Sequence, residues 1–168
     1  MTPRSTTRLV LRTPRLDLVL DSTDAVLARI DTMSPADRSQ VSPEWVARMR
    51  RTAPSAWTHG FTIVERATSA AVGSCAFKGP PDADGMVEIA YGIEPEHRGR
   101  GYAKEAALGL VEYAREAGVS VVRAHTLPEN AASIRVLAAC GFQRIGEVVD
   151  PEDGLVVRWE LVPSRADR

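Results

Sequence analysis

The chain reads Met-Val-Glu-Ile-Ala-Tyr-Gly-Ile-Glu-Pro-Glu-His-Arg-Gly-Arg-Gly-Tyr-Ala-Lys-Glu-Ala-Ala from Met86 to Ala107. This stretch predicts a strand over 86–93, a Gly-rich turn with two arginines, and then a helix. A turn of that kind leaves main-chain N–H groups unpaired at a helix N-terminus, where the helix dipole adds partial positive charge. The stretch therefore predicts a site for a phosphate-bearing ligand.

Strand and helix patterns alternate on both sides of this stretch. Alternating leucines between Leu9 and Leu20 indicate strand structure at the start of the chain. A helix over 101–118 leads into a strand over 119–126, which can therefore run parallel to the strand over 86–93. The other predicted elements are helices beginning near Thr23 and Ser42, strands over 61–65 and 72–77, a helix over 131–140, and a hairpin over 142–149 and 155–162.

Size and composition set the broad class. The 168 residues predict one domain over 1–168 with a core over about 8–162. A net charge of -1 without a long basic run argues against a nucleic-acid partner, and no apolar stretch is long enough for a membrane span. Two cysteines without a Cys-x-x-Cys pattern, and no secretory signal, favour a cytoplasmic protein. The three histidines are far apart, and we find no metal-ligand spacing.

Two common phosphate-binding motifs do not fit the Gly-rich turn. A Walker loop requires Gly-x4-Gly-Lys-[Ser/Thr], which the chain lacks. A dinucleotide fingerprint requires a third glycine at the position of Lys104. The pattern that remains is Arg98-x-x-Gly101-x-Ala103, directly after a predicted strand.

This pattern resembles the first signature of the GNAT superfamily, the acyl-CoA-dependent N-acyltransferases, which reads Gln/Arg-x-x-Gly-x-Gly/Ala. The stretch from Asn130 to Phe142 resembles the second signature, in which Asn-x-x-Ser/Ala precedes an apolar pair and Gly-Phe. The order and spacing of the two stretches also match. The opening strands and the Tyr-Ala-x-Glu-Ala run over 102–106 are most similar to the Rim-type branch, which contains acetyltransferases of ribosomal-protein N-termini.

The resemblance implies an α/β fold with a mixed, largely antiparallel sheet of six to seven strands, splayed between strands 4 and 5 and flanked by helices. It implies acetyl-CoA as the cofactor, with the pantetheine arm pairing in the gap like a short extra strand. A solvated turn is the alternative for the two arginines, and helix capping is the alternative for Asn130. The residues implied in cofactor binding are Tyr91, Gly92, Ile93, Arg98, Gly99, Arg100, Gly101, Tyr102, Ala103 and Asn130.

Acyl transfer to an amine needs a neutral amine, a hydrogen-bond donor for the thioester oxygen and a proton for the leaving thiolate. For the oxygen we expect a main-chain N–H freed by a bulge near Gly92 or Ile93. For the amine we expect Glu88 to act as the catalytic base, because its neighbours on the same strand face, Ala90 and Gly92, leave room for substrate. An ordinary polar strand position is the alternative for Glu88.

The leaving thiolate is where the chain departs from the superfamily pattern. Many members have a Tyr four residues before the Gly-Phe pair, and this chain has Leu137 there. The Rim-type resemblance implies that Ser133 is the catalytic hydrogen-bond donor instead, and helix capping is the alternative. Glu105 is expected to form a salt bridge or cap at the helix N-terminus rather than to take part in catalysis.

These expectations describe an acetyl-CoA-dependent N-acyltransferase that moves an acetyl group directly to a primary amine. The acceptor is a protein N-terminus or a small-molecule amine. The alternative is a catalytically weak CoA-sensing or partner-binding module on the same fold, which the departure at Leu137 keeps open. The resemblance also implies a homodimer, as in many relatives.

Overall fold

Eight strands and five α-helices make up residues 8–163, the part of the chain that the structure, a computed structural model, describes. In chain order they are β1 Val10–Arg12, β2 Leu16–Leu20, α1 Thr23–Asp31, α2 Pro35–Ser39, α3 Pro43–Arg51, β3 Phe61–Glu65, β4 Ala70–Phe77, β5 Met86–Ile93, α4 Tyr102–Glu116, β6 Val121–Thr126, α5 Ala131–Ala139, β7 Gln143–Asp150 and β8 Gly154–Leu161. A short 3-10 turn, Pro95–His97, follows β5.

The strands form one sheet in the order β1-β2-β3-β4-β5-β6-β8-β7. Strands β5 and β6 run parallel, as predicted, because α4 carries the chain back between them, and the other neighbours are antiparallel. The sheet has one strand more than the upper expectation. A turn around Pro14 divides the leucine-rich run into two strands, β1 and β2, which pair with each other.

The sheet opens between β5 and β6, the pair that corresponds to the predicted splay. Their described pairing covers three positions, from Met86 opposite Val121 to Glu88 opposite Arg123. On its other side β5 stays paired with β4 as far as Ile93. The second half of β5 therefore has one edge without a strand partner, and this confirms the expected gap.

The core lies between the sheet and helix α4. Alternate residues of β2 and β3, such as Leu18 and Ile63, are fully buried because they point to the same side of the sheet. Ala106 and Ala107 are also fully buried on the face of α4 that meets the strands. A Cβ added to Gly109 would lie 2.9 Å from the Leu18 side chain. The small residues of α4 thus let the helix lie close to the sheet.

Glu105 ties the first turn of α4 to the turn between β1 and β2. Its carboxylate accepts hydrogen bonds from the Thr13 hydroxyl and, at 2.9 Å each, from the main-chain N–H and the Nε of Arg15. Burial raises the pKa of Glu105, but these bonds outweigh burial and hold the pKa below its ordinary value. The expected salt bridge is confirmed, and it fixes where α4 begins relative to the sheet.

Three short helices fill the segment between β2 and β3. Ser22, Ser34 and Ser42 cap them, each accepting a hydrogen bond from a main-chain N–H three residues later. The sequence predicts the helices that begin near Thr23 and Ser42. It does not predict α2, because five residues carry too little periodicity to be recognised.

Candidate active site

The turn between β5 and α4 presents a row of unpaired main-chain N–H groups. Gly99 and Gly101 have φ values of +78° and +82°, which glycine adopts without steric strain. The first hydrogen bond of α4 runs from the Glu105 N–H to the Gly101 carbonyl. Within residues 8–163, the N–H groups from Gly99 to Ala103 have no protein acceptor. An anion at this turn would meet these groups and the positive end of the helix dipole.

A cavity of about 630 Å³ opens beside the turn, and we call it the donor cavity. The end of β5 and the first turns of α4 and α5 line it. Nine of the ten residues predicted to bind the cofactor are among its lining residues, and Arg100 is the exception. A Cβ placed on Gly92 or on Gly99 would meet no atom within 4 Å, so the wall stays open there. The cavity fits an elongated ligand whose anionic part rests on the turn.

The two arginines of the turn have different surroundings. Arg98 lines the donor cavity, and its Nε donates to the Ile93 carbonyl at 3.1 Å, which anchors the side chain there. The charge of Arg100 acts instead on Glu65, whose pKa is held below its ordinary value first by the hydrogen bond from the Tyr102 hydroxyl. Arg98 is therefore the arginine placed to meet a ligand in the cavity.

Arg15 stands beside the same turn, although the sequence analysis did not single it out. Its guanidinium carbon lies 4.7 Å from the centre of the Tyr102 ring, which is a cation–π contact. Its Nη2 lies 3.2 Å from the position of a Cβ added to Gly101. Arg15 comes from the turn between β1 and β2, so no local pattern connects it with Gly101. The fold places its guanidinium, which is paired with Glu105, next to the turn.

The edge of β5 that faces the gap is regular. Glu88 and Glu94 form main-chain hydrogen bonds on the β4 side of the strand. In an antiparallel pair, alternate residues turn their N–H and C=O groups in opposite directions. The main-chain groups of Ile89, Tyr91 and Ile93 therefore point into the gap, where they can pair with an extended ligand.

The prediction of a bulge near Gly92 or Ile93 is wrong. Strands β4 and β5 pair without a shift of register, with Ser74 opposite Gly92 and Gly73 opposite Ile93. N–H groups are free on this strand because β6 turns away from it. The strand therefore offers unpaired hydrogen-bond donors without a bulge. The N–H and C=O groups of Gly92 face β4 and not the gap. Gly92 affects the cavity only by lacking a side chain, which leaves space there.

Two hydroxyl groups meet where the donor cavity continues into the gap. A second cavity of about 280 Å³, the gap cavity, lies between β5 and β6 and shares Tyr91, Asn130 and Ser133 with the first. The Tyr91 Oη and the Ser133 Oγ are 3.0 Å apart. Asn130 caps α5, because its side-chain oxygen accepts from the Ser133 N–H at 3.1 Å. Capping thus accounts for Asn130, while the Ser133 hydroxyl faces the gap.

Glu88 lies where β5 and β6 separate, between two basic side chains. Its carboxylate is 2.8 Å from the Lys78 Nζ and 2.5 Å from the His125 Nδ1. The Arg158 Nε donates to the His125 Nε2 at 3.2 Å. In a neutral ring this arrangement puts the proton on Nδ1 and the lone pair on Nε2. His125 lines the gap cavity and Glu88 does not, so the imidazole is the member of this row that a bound molecule would meet.

The hairpin between β7 and β8 brings carboxylates to the same place. Asp153 lines the gap cavity together with Lys78. Burial lowers the pKa of Lys78, but the hydrogen bond and charge of Glu88, with the charges of Asp153 and Asp150, raise it above its ordinary value. This row, Lys78–Glu88–His125–Arg158, comes from the residue that follows β4 and from the three strands β5, β6 and β8. Sequence reasoning found Glu88, and it missed the two cations because nothing near them in sequence marks them.

Two further observations concern residues 8–163 as a whole. No helix in this range is long and apolar enough to cross a membrane. No cluster of three or more His, Cys, Asp or Glu side chains in this range is arranged to hold a metal ion.

Residues 8–143 match the protein family described as an acetyltransferase (GNAT) domain. The chain is also similar to the uncharacterized N-acetyltransferase p20 of Bacillus licheniformis, with 32% identity over 93 residues, which is 55% of this chain and 52% of that protein. The chain spans about half the length of the curated relatives it matches.

Solved structures show the same fold. The acetyltransferase (GNAT family) from Bacillus anthracis superposes with a TM-score of 0.69 at 20% identity, over 92% of this chain and 99% of that one. The ribosomal-protein-S5-alanine acetyltransferase from Vibrio fischeri superposes with a TM-score of 0.70 at 15% identity, over 95% and 100%. At these identities the similarity concerns the fold.

Proposed function

Because this chain belongs to the GNAT acetyltransferase family, we propose that it transfers an acetyl group from acetyl-CoA directly to a primary amine. One observation carries the proposal: the donor cavity begins at a row of free N–H groups and continues into a gap lined by hydroxyl and imidazole groups. Neither Cys75 nor Cys140 lines these cavities, and burial raises the pKa of both thiols. Direct transfer between two bound substrates therefore fits better than a covalent acyl-enzyme.

The donor cavity supplies the groups that acetyl-CoA requires. The N–H groups from Gly99 to Ala103 and the Arg98 guanidinium would hold the diphosphate. The main-chain N–H and C=O of Tyr91 and the N–H of Ile93 would pair with the pantetheine amides along the free edge of β5, since the Ile93 carbonyl already accepts from Arg98. When bound, acetyl-CoA supplies the activated thioester, and the chain positions it.

The same strand edge serves the acyl oxygen. Negative charge grows on this oxygen as the amine attacks, and a fixed N–H donor stabilises the charge without rearrangement. The N–H groups of Ile89 and Tyr91 point into the gap from a strand that β4 holds rigid on its other side. We assign the oxygen to one of these two groups.

The amine side is served by Glu88 together with His125. We proposed Glu88 as the base from its strand position, and its carboxylate now has His125 as a partner that reaches the gap cavity. His125 accepts the proton at Nε2 once Arg158 gives way to the amine, and Glu88 holds the ring through Nδ1. Glu88 also supplies negative charge that attracts an ammonium group to the site.

The acceptor is a protein N-terminus or a small-molecule amine. The Vibrio fischeri protein of similar fold is described as acting on alanine of ribosomal protein S5, which favours a protein N-terminus as the first candidate. Carboxylates at the gap cavity, Asp153 and the nearby Asp150, favour an acceptor with positive charge beyond the reacting amine.

An acceptor panel tests the function. Peptides with free N-termini and small amines are offered at fixed acetyl-CoA, while released CoA thiol and acetylated product are both measured. We expect thiol release in equal amount to acetylated amine for at least one class of acceptor. Tight acetyl-CoA binding with no thiol release from any acceptor would instead support the CoA-sensing module.

We also propose a homodimer in the cytoplasm. Within the described chain β7 is an edge strand that pairs with β8 alone, and its Ile145 and Val149 side chains are 54% and 81% exposed. An edge strand with exposed apolar side chains is a surface where a second copy can pair. Light scattering of the protein and of Val149→Lys tests the dimer.

The free thiols Cys75 and Cys140 favour a reducing compartment, which cell fractionation tests.

A further inference from the structure

We propose that Tyr91 is the proton donor to the leaving thiolate, acting with Ser133 as one hydroxyl pair. This inference deepens the proposed function and rests on it. It begins from the departure at Leu137, where many superfamily members carry a tyrosine. Leu137 lies on α5, where it is fully buried, and has no group that could give a proton.

Geometry brings another tyrosine to the same gap from the opposite side. Tyr91 projects from β5, while Leu137 and Ser133 belong to α5. The Tyr91 hydroxyl lies 3.0 Å from the Ser133 hydroxyl, and both residues line both cavities. The pair therefore stands where the donor cavity ends and the acceptor side begins, which is where a thioester must lie for direct transfer.

The environment keeps the phenol protonated. Burial raises the pKa of Tyr91 above its ordinary value, and the hydrogen bond from Ser133 offsets only part of this rise. The proton is present below that pKa, so a raised pKa extends the acid form further into the alkaline range. A free thiol ionises at about pH 8.5. The phenol thus stays protonated at neutral pH and can donate a hydrogen bond to a thiolate as it forms.

The pair delivers one proton in a balanced step. As the amine nitrogen bonds to the acyl carbon, the carbon–sulfur bond breaks and its electron pair goes to sulfur. The Tyr91–Ser133 pair donates a hydrogen bond to that sulfur and passes it a proton as water returns one to the pair, so no free phenolate is left. The amine loses its proton to His125 and then to water. The net result is an amide and a free thiol, with no other reactant.

Kinetics of matched variants test the pair. Tyr91→Phe keeps the ring and removes the hydroxyl, and Tyr113→Phe is its control because Tyr113 packs on Trp57 and Phe77 away from both cavities. We expect Tyr91→Phe to lower kcat about tenfold to hundredfold with little change in the KM for acetyl-CoA. Ser133→Ala should have a similar effect, and the double variant should lose little more, because the two groups act as one unit.

A binding measurement tests the same idea without turnover. The ultraviolet absorbance of the thiolate follows the ionisation of CoA bound to each variant as pH rises. A hydroxyl donor stabilises the thiolate, so bound CoA should ionise at higher pH in Tyr91→Phe than in the parent protein and in Tyr113→Phe. Equal titration in all three, or equal kcat in the two Phe variants, would overturn the proposal.

The two proposals fail in different ways. If the parent protein releases no thiol with any acceptor, the acetyltransferase function fails, and the titration of bound CoA still reports whether Tyr91 reaches the sulfur. If the parent protein is active and Tyr91→Phe equals Tyr113→Phe, only the role of Tyr91 fails.

Discussion

The donor side of the gap consists mainly of main-chain groups, whereas the acceptor side consists of side chains. The donor side uses main-chain N–H groups of one continuous turn, from Gly99 to Ala103, and the edge of one strand. The acceptor side uses side chains from three strands and from the residue that follows β4, joined in the row Lys78–Glu88–His125–Arg158. A main-chain site depends on local conformation, whereas a side-chain site depends on how distant strands are placed. The two sides should therefore respond differently to substitution.

Gly101→Glu should have the largest effect and should confine it to the donor side. The φ of +82° disfavours any side chain, and the new carboxylate would place negative charge where the diphosphate is proposed to bind. We expect acetyl-CoA affinity in calorimetry to fall at least about a hundredfold, since charge repulsion, strain and lost contacts add.

Gly118→Glu is the matched control for that experiment. Gly118 has nearly the same φ, +80°, but lies past the far end of α4, where an added Cβ meets nothing within 4 Å. It carries the same backbone strain without reaching the anion site, so its affinity should stay near that of the parent. Equal affinities of the two variants would remove the turn from cofactor binding.

Glu88→Gln should affect the acceptor side and leave the donor side intact. The amide cannot hold His125 as a carboxylate does or attract an ammonium, so the rate near neutral pH should fall about tenfold to hundredfold and its pH profile should become shallower. Calorimetry should show unchanged acetyl-CoA affinity. Glu160→Gln is the control, because Glu160 is also ion-paired but its partner Arg123, unlike His125, lines neither cavity. A rate and profile like those of the control would take Glu88 out of the mechanism.

Glu105→Gln should have the smallest effect on activity and act on stability instead. Loss of the charged acceptor for Thr13 and Arg15 should lower the free energy of unfolding by about 1–3 kcal/mol in urea titrations. Glu112→Gln should cost below about 0.5 kcal/mol, because its pair with Arg115 is on the surface.

The pH dependence of unfolding gives this prediction a sign. The pKa of Glu105 lies below its ordinary value of 4.5 in the folded protein, so the unfolded chain binds the proton more readily. Its stabilisation is complete above about pH 5.5 and disappears as pH falls through the folded value. The difference between parent and Glu105→Gln should therefore shrink on acidification. A constant difference would show that Glu105 acts through packing alone.

The same division decides what could be predicted from the sequence. The turn from Gly99 to Ala103 is a local pattern, so its residues and the proposal of an anion site there come from one contiguous stretch of sequence. The strand β5 and helix α4 follow from periodicity, and the parallel pairing with β6 follows from the connection between them. Contiguous features of the fold were therefore within reach.

Contacts between residues that are distant in the chain could not be predicted from the sequence. Nothing near Arg15 indicates that it stands over Tyr102, and nothing near Arg158 indicates that it meets His125. The bulge expected near Gly92 was wrong, since strand register depends on both partners and cannot be taken from one strand. The meeting of Tyr91 with Ser133 depends on the angle at which β5 and α5 approach each other.

The narrow join between β5 and β6 has a consequence for the lifetime of the protein. Three residue pairs connect the two halves of the sheet along this line. The halves are therefore expected to separate there more readily than at the longer strand pairings. A pantetheine arm hydrogen-bonded in the gap would connect the two halves. A ligand that prefers the folded state lowers the population of opened molecules. Resistance to proteases should then rise with the concentration of acetyl-CoA.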